Sequence, residues 1–269
     1  MRLMQIKEVQ TLLLDLMKEV HDFLKKNNLQ YYLLGGSALG AVRHNGFIPW
    51  DDDIDIGMMR SDYERFLQIS DSFNSKFEIV NFSKSNKCDY GLTRIYISNT
   101  YIDNPVVAKT KLDTRLYFDV FPIDNVPDEN VLLNKYETAV KKKKRIIQYL
   151  DLRNYGDSKP KLFFKKLVSL CLSPFRKRIL SSFDKLQKKY QHSATVRVCS
   201  LCSQYSFNKQ VMARTIYGAP TLHKFEDVDL FIPEKINDYL TTLFGSDYME
   251  LPPEHKRRKG FDIYILDEE

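Results

Sequence analysis

The run Pro49-Trp50-Asp51-Asp52-Asp53-Ile54-Asp55-Ile56 constrains this chain more than any other stretch, because it sets four carboxylates among apolar residues that favour burial. The Ile54-Asp55-Ile56 alternation is that of a strand, in which successive side chains take opposite faces. Asp51, Asp53 and Asp55 are then expected on one face, with the isoleucines in the core. Carboxylates crowded on one face repel each other, so a cation belongs among them. Oxygen-only donors suit a hard divalent ion, Mg²⁺ or Mn²⁺. A solvated acidic loop is the ordinary alternative, and the interleaved isoleucines and the preceding Pro49-Trp50 argue against it.

Just upstream, Tyr31-Tyr-Leu-Leu34 reads as a short strand, Gly35-Gly36-Ser37 as a turn and Ala38 to Arg43 as a helix. A strand, a glycine-rich turn and a helix start together make an anion site, since unpaired amides point at the ligand and glycine admits a phosphate closely. A phosphate cradle followed by an acidic strand points to metal-assisted phosphoryl or nucleotidyl transfer.

The remaining pattern supplies a scaffold of α/β (α+β) class. Ile6, Val9, Leu13, Leu16, Met17, Val20, Phe23 and Leu24 recur at three and four and predict an amphipathic helix that Asn27-Asn28 ends. Ser61-Asp-Tyr-Glu64 has the form of a capping box that would start a helix at once after the acidic strand. Phe77 to Phe82, Leu92 to Ile97 and Tyr117 to Phe121 read as strands. On the last of these Asp119 sits between Phe118 and Val120, which is costly without a partner. Asp124, after Pro122, reads as a turn residue. Helices are expected from Asn130 to Asp151, from Lys161 to Leu172, from Arg176 onward, and from Pro233 to about Phe244. We divide the chain into a catalytic core (1–129), a basic helical region (130–215) and a C-terminal segment that returns to the active site (216–269).

Composition narrows the partners. At 269 residues, 43% of them hydrophobic, the chain can bury a full core. It has no apolar run of ~18 residues that could span a membrane. Its N-terminus lacks the uninterrupted apolar core of a signal peptide, so the expected place is the cytosol, where cysteines stay reduced. Cys199-Ser-Leu-Cys202 has the spacing of half a zinc site, but Cys88, Cys171, His192 and His223 do not supply the other half, and two buried thiols are the simpler reading. The net charge of +6 is concentrated: Lys141 to Tyr190 holds 16 basic and 3 acidic residues. Such a region implies an anionic partner or a strongly solvated face. Within it Leu162, Phe163, Phe164, Leu167, Val168, Leu170, Cys171 and Leu172 are too apolar for a solvated helix. Either this segment lies on an anionic membrane surface or it packs on the α/β core. Nucleic acid is the poorer partner, because no zinc-finger, helix-turn-helix or RNA-binding signature accompanies the charge. Near the C-terminus, His255, Lys256, Arg257, Arg258 and Lys259 form a basic cluster that is either a solvated loop or a diphosphate clamp.

Gly35-Gly-Ser followed by Asp53-Ile-Asp55-Ile resembles the signature of the nucleotidyltransferase superfold. The longer string from Gly40 to Ile56, with Tyr117-Phe-Asp-Val-Phe-Pro-Ile-Asp124 and Phe244 to Arg257, is similar to the LicD family of phosphocholine transferases, relatives of the fukutin-type phosphotransferases. The resemblance implies a nucleotidyltransferase-type core, a mixed sheet flanked by helices, with a basic helical insertion. It implies transfer of phosphocholine from CDP-choline to a sugar hydroxyl of a lipid-linked teichoic acid or surface-polysaccharide precursor, with release of CMP, by an enzyme in the cytoplasm or at the inner face of the membrane. Asp51, Asp53, Asp55 and Asp119 would hold Mg²⁺ or Mn²⁺, and Asp53, Asp55 and Asp119 would be catalytic, with Asp119 at the metal or as base. Gly35, Gly36, Ser37, Arg43, Lys256 and Arg257 would bind the donor's phosphates, with His44 a weaker candidate. Two alternatives stay open: another CDP-alcohol as donor, such as CDP-ribitol or CDP-glycerol, and a true nucleotidyltransferase that moves NMP from an NTP.

Overall fold

The structure, a computed structural model, describes residues 1–73, 77–81, 91–103, 113–151, 159–257 and 260–266. Phe82, Cys88, Arg258 and Lys259 lie outside the described residues.

The chain opens with β1 (Arg2–Leu3) and α1 (Ile6–Lys26). A capping box of Gln5 and Glu8 starts α1, and its apolar stripe of Val9, Leu13, Leu16, Met17, Val20 and Leu24 is buried. Burial stabilises each of these side chains by about 1.5–3 kcal/mol relative to exposure. Asn27 caps the helix and Asn28 takes φ +53°, so the two asparagines do end it. Then come β2 (Tyr32–Leu33), α2 (Gly35–His44), β3 (Asp55–Met59), α3 (Arg60–Ile69), β4 (Phe77–Asn81), β5 (Thr93–Ile97), β6 (Thr100–Asp103) and β7 (Tyr117–Asn125). The main sheet runs β2-β3-β7-β5-β4, with β3 and β7 parallel and the other pairs antiparallel. It is the expected mixed sheet flanked by helices.

Four local expectations need correction. β3 begins at Asp55, so strand parity does not extend back to Asp51. α2 begins at Gly35 rather than Ala38, which makes Gly35-Gly36-Ser37 its first turn. Ser61 caps nothing, because α3 starts one residue earlier at Arg60 and has Met59 at its N-cap. Asp124 is not in a turn: it lies on β7, 1% exposed, and takes a two-point ion pair from Arg60 (Nε to Oδ1 2.6 Å, Nη2 to Oδ2 2.8 Å). The last two share a cause. Arg60 must enter the core to meet Asp124, which draws the first turn of α3 onto it, and Glu64 pairs with Arg60 and Lys188 instead of reaching back to a cap.

After β7 come α4 (Asn130–Leu150), α5 (Lys159–Leu172), α6 (Arg176–Gln187), β8 (Arg197–Cys199), α7 (Phe207–Gln210), β9 (Val211–Ala213) and α8 (Arg214–Tyr217). β8 prolongs the sheet by pairing with the far end of β7, where Cys199 faces Asp124. Cys199 and Cys202 are buried thiols, and Cys202 Sγ accepts from Gln187 Nε2 (3.0 Å). α5 is tied to α4 by Ser169 Oγ, which donates to Leu150 O (2.9 Å). Its apolar stripe does not pack on the α/β core: Phe163 and Leu170 are each 72% exposed, and Phe164, Leu167 and the nearby Phe175 are exposed as well. No described helix is long and apolar enough to cross a membrane.

The chain continues with β10 (Thr221–Phe225), β11 (Val228–Ile232), α9 (Ile236–Phe244) and β12 (Asp262–Ile265). α9 begins three residues beyond the expected Pro233. The β10–β11 hairpin turns at Glu226, at φ +55°. There the Glu226 amide donates to Asn45 O (2.7 Å), and its Oε1 accepts from the Phe47 amide (3.0 Å). The hairpin tip thereby fixes the loop that leads from α2 to the acidic run. β12 pairs with both β1 and β6 in a second sheet.

Candidate active site

The parallel pairing of β3 with β7 sets Asp55 directly opposite Asp119. Both ends of that contact are fastened. The Asp55 amide donates to Ser37 Oγ (2.9 Å) and its carbonyl accepts from the Leu34 amide (2.9 Å), so α2 and β3 are locked together. On the other side Arg94, in register with Asp119 on β5, donates through Nε to Asp119 Oδ1 (2.8 Å) and lays its guanidinium over the Tyr117 ring (3.9 Å). Burial pushes the Asp119 carboxyl above its usual range, and Arg94 opposes that rise. Asp52, Asp53, Asp55, Tyr117, Asp119 and Phe261 line one cavity of about 70 Å³.

The acidic loop before β3 closes on itself. The Asp51 amide donates to Ile48 O (2.9 Å), and Gln10 Nε2 on α1 donates to the carbonyls of Ile48 (3.2 Å) and Asp51 (3.0 Å). In this bend carboxylate oxygens of Asp51, Asp52 and Asp53 lie within 4.8 Å of one another. Among the described residues this is the group of carboxylates that could hold a metal ion, and oxygen-only donors suit a hard divalent cation. Asp52, placed on the opposite face by strand parity, is therefore a member. Its carboxylate is 8% exposed and accepts from the Phe261 amide (3.0 Å).

α2 points its first turn at this loop. Gly35 takes φ +51°, which lets β2 run straight into the helix, and its amide donates to Tyr239 Oη (2.9 Å). A Cβ on Gly36 would lie 2.8 Å from Asp51 Oδ2, closer than a side chain can come. The glycine pair thus serves the approach of helix to carboxylate. The positive end of the helix dipole is favourable there.

The expected phosphate-binding cations gather at the other end of α2. Arg43 Nη1 donates to the carbonyls of Tyr248 (3.0 Å) and Glu250 (3.1 Å), and its Nε donates to His44 Nε2 (3.0 Å). His44 meets the edge of Trp50, and the Arg257 guanidinium covers Trp50 at 4.6 Å. Burial and the neighbouring Arg43 hold the His44 ring below its ordinary 6.5, consistent with its role as acceptor. Lys256 is exposed on a 3₁₀ turn, Glu254–Lys256, and Arg257 Nε donates to Pro252 O (3.2 Å). Arg43 and Arg257 thus hold the C-terminal segment against α2 and the acidic loop. The faces of Tyr117 and Trp50 are covered by guanidinium groups.

Sequence reasoning missed Asp52, Arg94 and Gln10. Arg94 had a signal: a cation inside the apolar strand Leu92-Thr-Arg-Ile-Tyr-Ile97 needs a carboxylate neighbour. Asp52 was hidden by the assumption that strand geometry began at Asp51. Gln10, polar on the buried side of α1, signals only that some carbonyl must meet it.

A helix that starts on glycine and two parallel strands that present facing aspartates define a nucleotidyltransferase-type site. Residues 28–157 match the family model described as LicD/FKTN/FKRP, nucleotidyltransferase domain, and therefore belong to a LicD-family domain. Over 276 aligned residues the chain is 27% identical to the lipopolysaccharide cholinephosphotransferase LicD of Haemophilus influenzae, which covers 99% of this chain and 100% of that protein. An uncharacterized protein of Rickettsia prowazekii is 36% identical over 112 residues, 40% of this chain and 42% of its own length. The ribitol 5-phosphate transferase FKRP of Homo sapiens is 49% identical over 39 residues, 14% of this chain and 8% of that protein. The family is one of transferases, and both relatives named for an activity transfer a phospho-alcohol.

Proposed function

We propose that the protein transfers phosphocholine from CDP-choline to a sugar hydroxyl of a lipid-linked glycan precursor, of teichoic acid or surface-polysaccharide type, and releases CMP. The observation that carries this reading is the facing pair Asp55 and Asp119 beside the converging Asp51, Asp52 and Asp53. Asp51, Asp53 and Asp55, with Asp52, would hold Mg²⁺ or Mn²⁺, which when bound neutralises the donor's diphosphate. Ser37 Oγ accepts from the Asp55 amide, and its hydroxyl proton can still be donated to a phosphate oxygen. Asp119, oriented by Arg94, accepts the proton of the attacking sugar hydroxyl. The hydroxyl oxygen bonds to phosphorus as the bond from phosphorus to the CMP oxygen breaks. Arg43 and Arg257, anchored to the C-terminal backbone, would neutralise charge that develops on the leaving CMP. The basic helical region rests on an anionic membrane surface, which brings the site to a lipid-linked acceptor.

Calorimetric titration with CDP-choline, with CDP-ribitol, CDP-glycerol and CTP as competitors, tests the donor. Tightest binding of CDP-choline, dependent on Mg²⁺ or Mn²⁺ and lost in Asp53→Asn and Asp55→Asn proteins that keep the wild-type circular dichroism, is the expected result. Tighter binding of another CDP-alcohol or of CTP replaces the headgroup or the reaction. Full turnover in either variant removes the metal site.

A further inference from the structure

A second cavity, of about 260 Å³, lies between α4 and the segment from Cys199 to Gln210. It adjoins the acidic site through Tyr205, whose ring lines it. The same ring comes within 3.6 Å of where a Cβ on Gly35 would stand, a point that Asp55 Oδ2 approaches to 3.7 Å. One wall carries three cations of α4, Lys141 and, one turn on, Lys144 and Arg145, and none of the described residues that line the cavity is a carboxylate. Lys144 is largely buried and donates to Ser203 O (2.6 Å), while Lys141 pairs with Glu137 (2.6 Å). Arg145 has no hydrogen bond or ion pair among the described residues. Ser200, 2% exposed, is also among the residues that line the cavity, and its buried Oγ has no hydrogen-bond partner among the described residues. A buried hydroxyl without a partner is rare unless something supplies one.

We infer that this cavity is a second anion site, which takes a phosphate ester already present on the glycan acceptor: Arg145 and Lys144 supply charge, and Ser200 donates to a phosphate oxygen. The chemistry selects among the substrates of the proposed reaction, on which this identification of the ligand rests. A quaternary ammonium is repelled by three cations and the donor's diphosphate belongs at the acidic loop, whereas a phosphorylated sugar matches both the charge and the size. A neighbouring hydroxyl of that sugar would then face Asp119 past Tyr205.

The test uses the whole protein with chelator present, so that the acidic loop contributes no metal-held binding. Calorimetry with glucose 6-phosphate as probe should show binding to the wild type, weakened about tenfold or more in Arg145→Gln and several-fold in Ser200→Ala, and unchanged in Asp53→Asn. Absence of binding to the wild type overturns the inference. So does equal affinity in Arg145→Gln and Ser200→Ala, or displacement of the probe by cytidine, which would make the cavity a nucleoside pocket. If CDP-choline fails to bind while glucose 6-phosphate is held through Arg145, the donor assignment falls and the anion site stands.

Discussion

At the residue scale the site depends on one absent side chain. Gly36 brings the first turn of α2 so near Asp51 that a methyl group there would sit 2.8 Å from Oδ2. Gly36 has ordinary helical dihedrals, so alanine costs the helix nothing intrinsically and would even favour it by about 0.5–1 kcal/mol. Gly36→Ala is therefore expected to leave thermal unfolding within a few degrees of wild type while it pushes Asp51 aside and weakens Mn²⁺ binding about tenfold, as measured by calorimetry. Unchanged Mn²⁺ affinity would show that Asp51 is not a ligand. Most of this candidate site is legible in the sequence. Asp55 and Asp119 stand out because an aspartate between large apolar residues is costly without a partner, and Asp53 because it directly precedes that alternation. Asp52 does not, since its role depends on where the loop ends and β3 begins, and four consecutive polar and apolar residues say nothing about that boundary.

At the scale of elements, α3 shows how a tertiary contact overrides a local signal. Ser61-Asp-Tyr-Glu64 satisfies the capping pattern, yet the buried pair of Arg60 with Asp124 fixes the helix start instead. A cap is worth ~1 kcal/mol, whereas removing one partner of a buried ion pair costs about 3–5 kcal/mol because the other charge is left unpaired in the core. Two substitutions separate the effects in denaturant unfolding. Ser61→Ala should shift stability by less than about 0.5 kcal/mol, and Asp124→Ala should lower it by about 3–5 kcal/mol. A loss of ~1 kcal/mol in Ser61→Ala would restore the capping box. Asp124 escaped sequence reasoning because its partner is 64 residues away. A Pro-x-Asp triplet has a familiar local meaning, and nothing nearby reveals the distant guanidinium.

For the whole molecule, exposed charge and exposed apolar area fall in neighbouring segments of the chain. Lys161 and Lys166 are exposed on α5 with Phe163, Phe164, Leu167 and Leu170, and Lys177 and Arg178 are exposed at the start of α6. Aromatic and aliphatic residues that stand in water next to ammonium and guanidinium groups suit the boundary of an anionic bilayer. The protein is expected to sediment with phosphatidylglycerol vesicles at low salt, and the double variant Phe163→Glu, Leu170→Glu to remain in the supernatant with its site intact. Sedimentation of both alike would leave the stripe without this role. Here too the sequence was half legible. Composition marked α5 as unusual, but periodicity alone could not say whether its apolar side meets the core or the solvent. The sheet that joins β1, β12 and β6 was not legible at all, because strands of two to four residues carry no pattern of their own.

The hydrogen bond from the Phe261 amide to Asp52 spans 209 residues of sequence. A chain emerging from the ribosome therefore displays the whole acidic run long before it makes Phe261, the residue ahead of β12 whose amide seats Asp52. During synthesis the acidic run is present before the partner that holds Asp52, and the proposed reaction would wait until the polypeptide has closed that circuit.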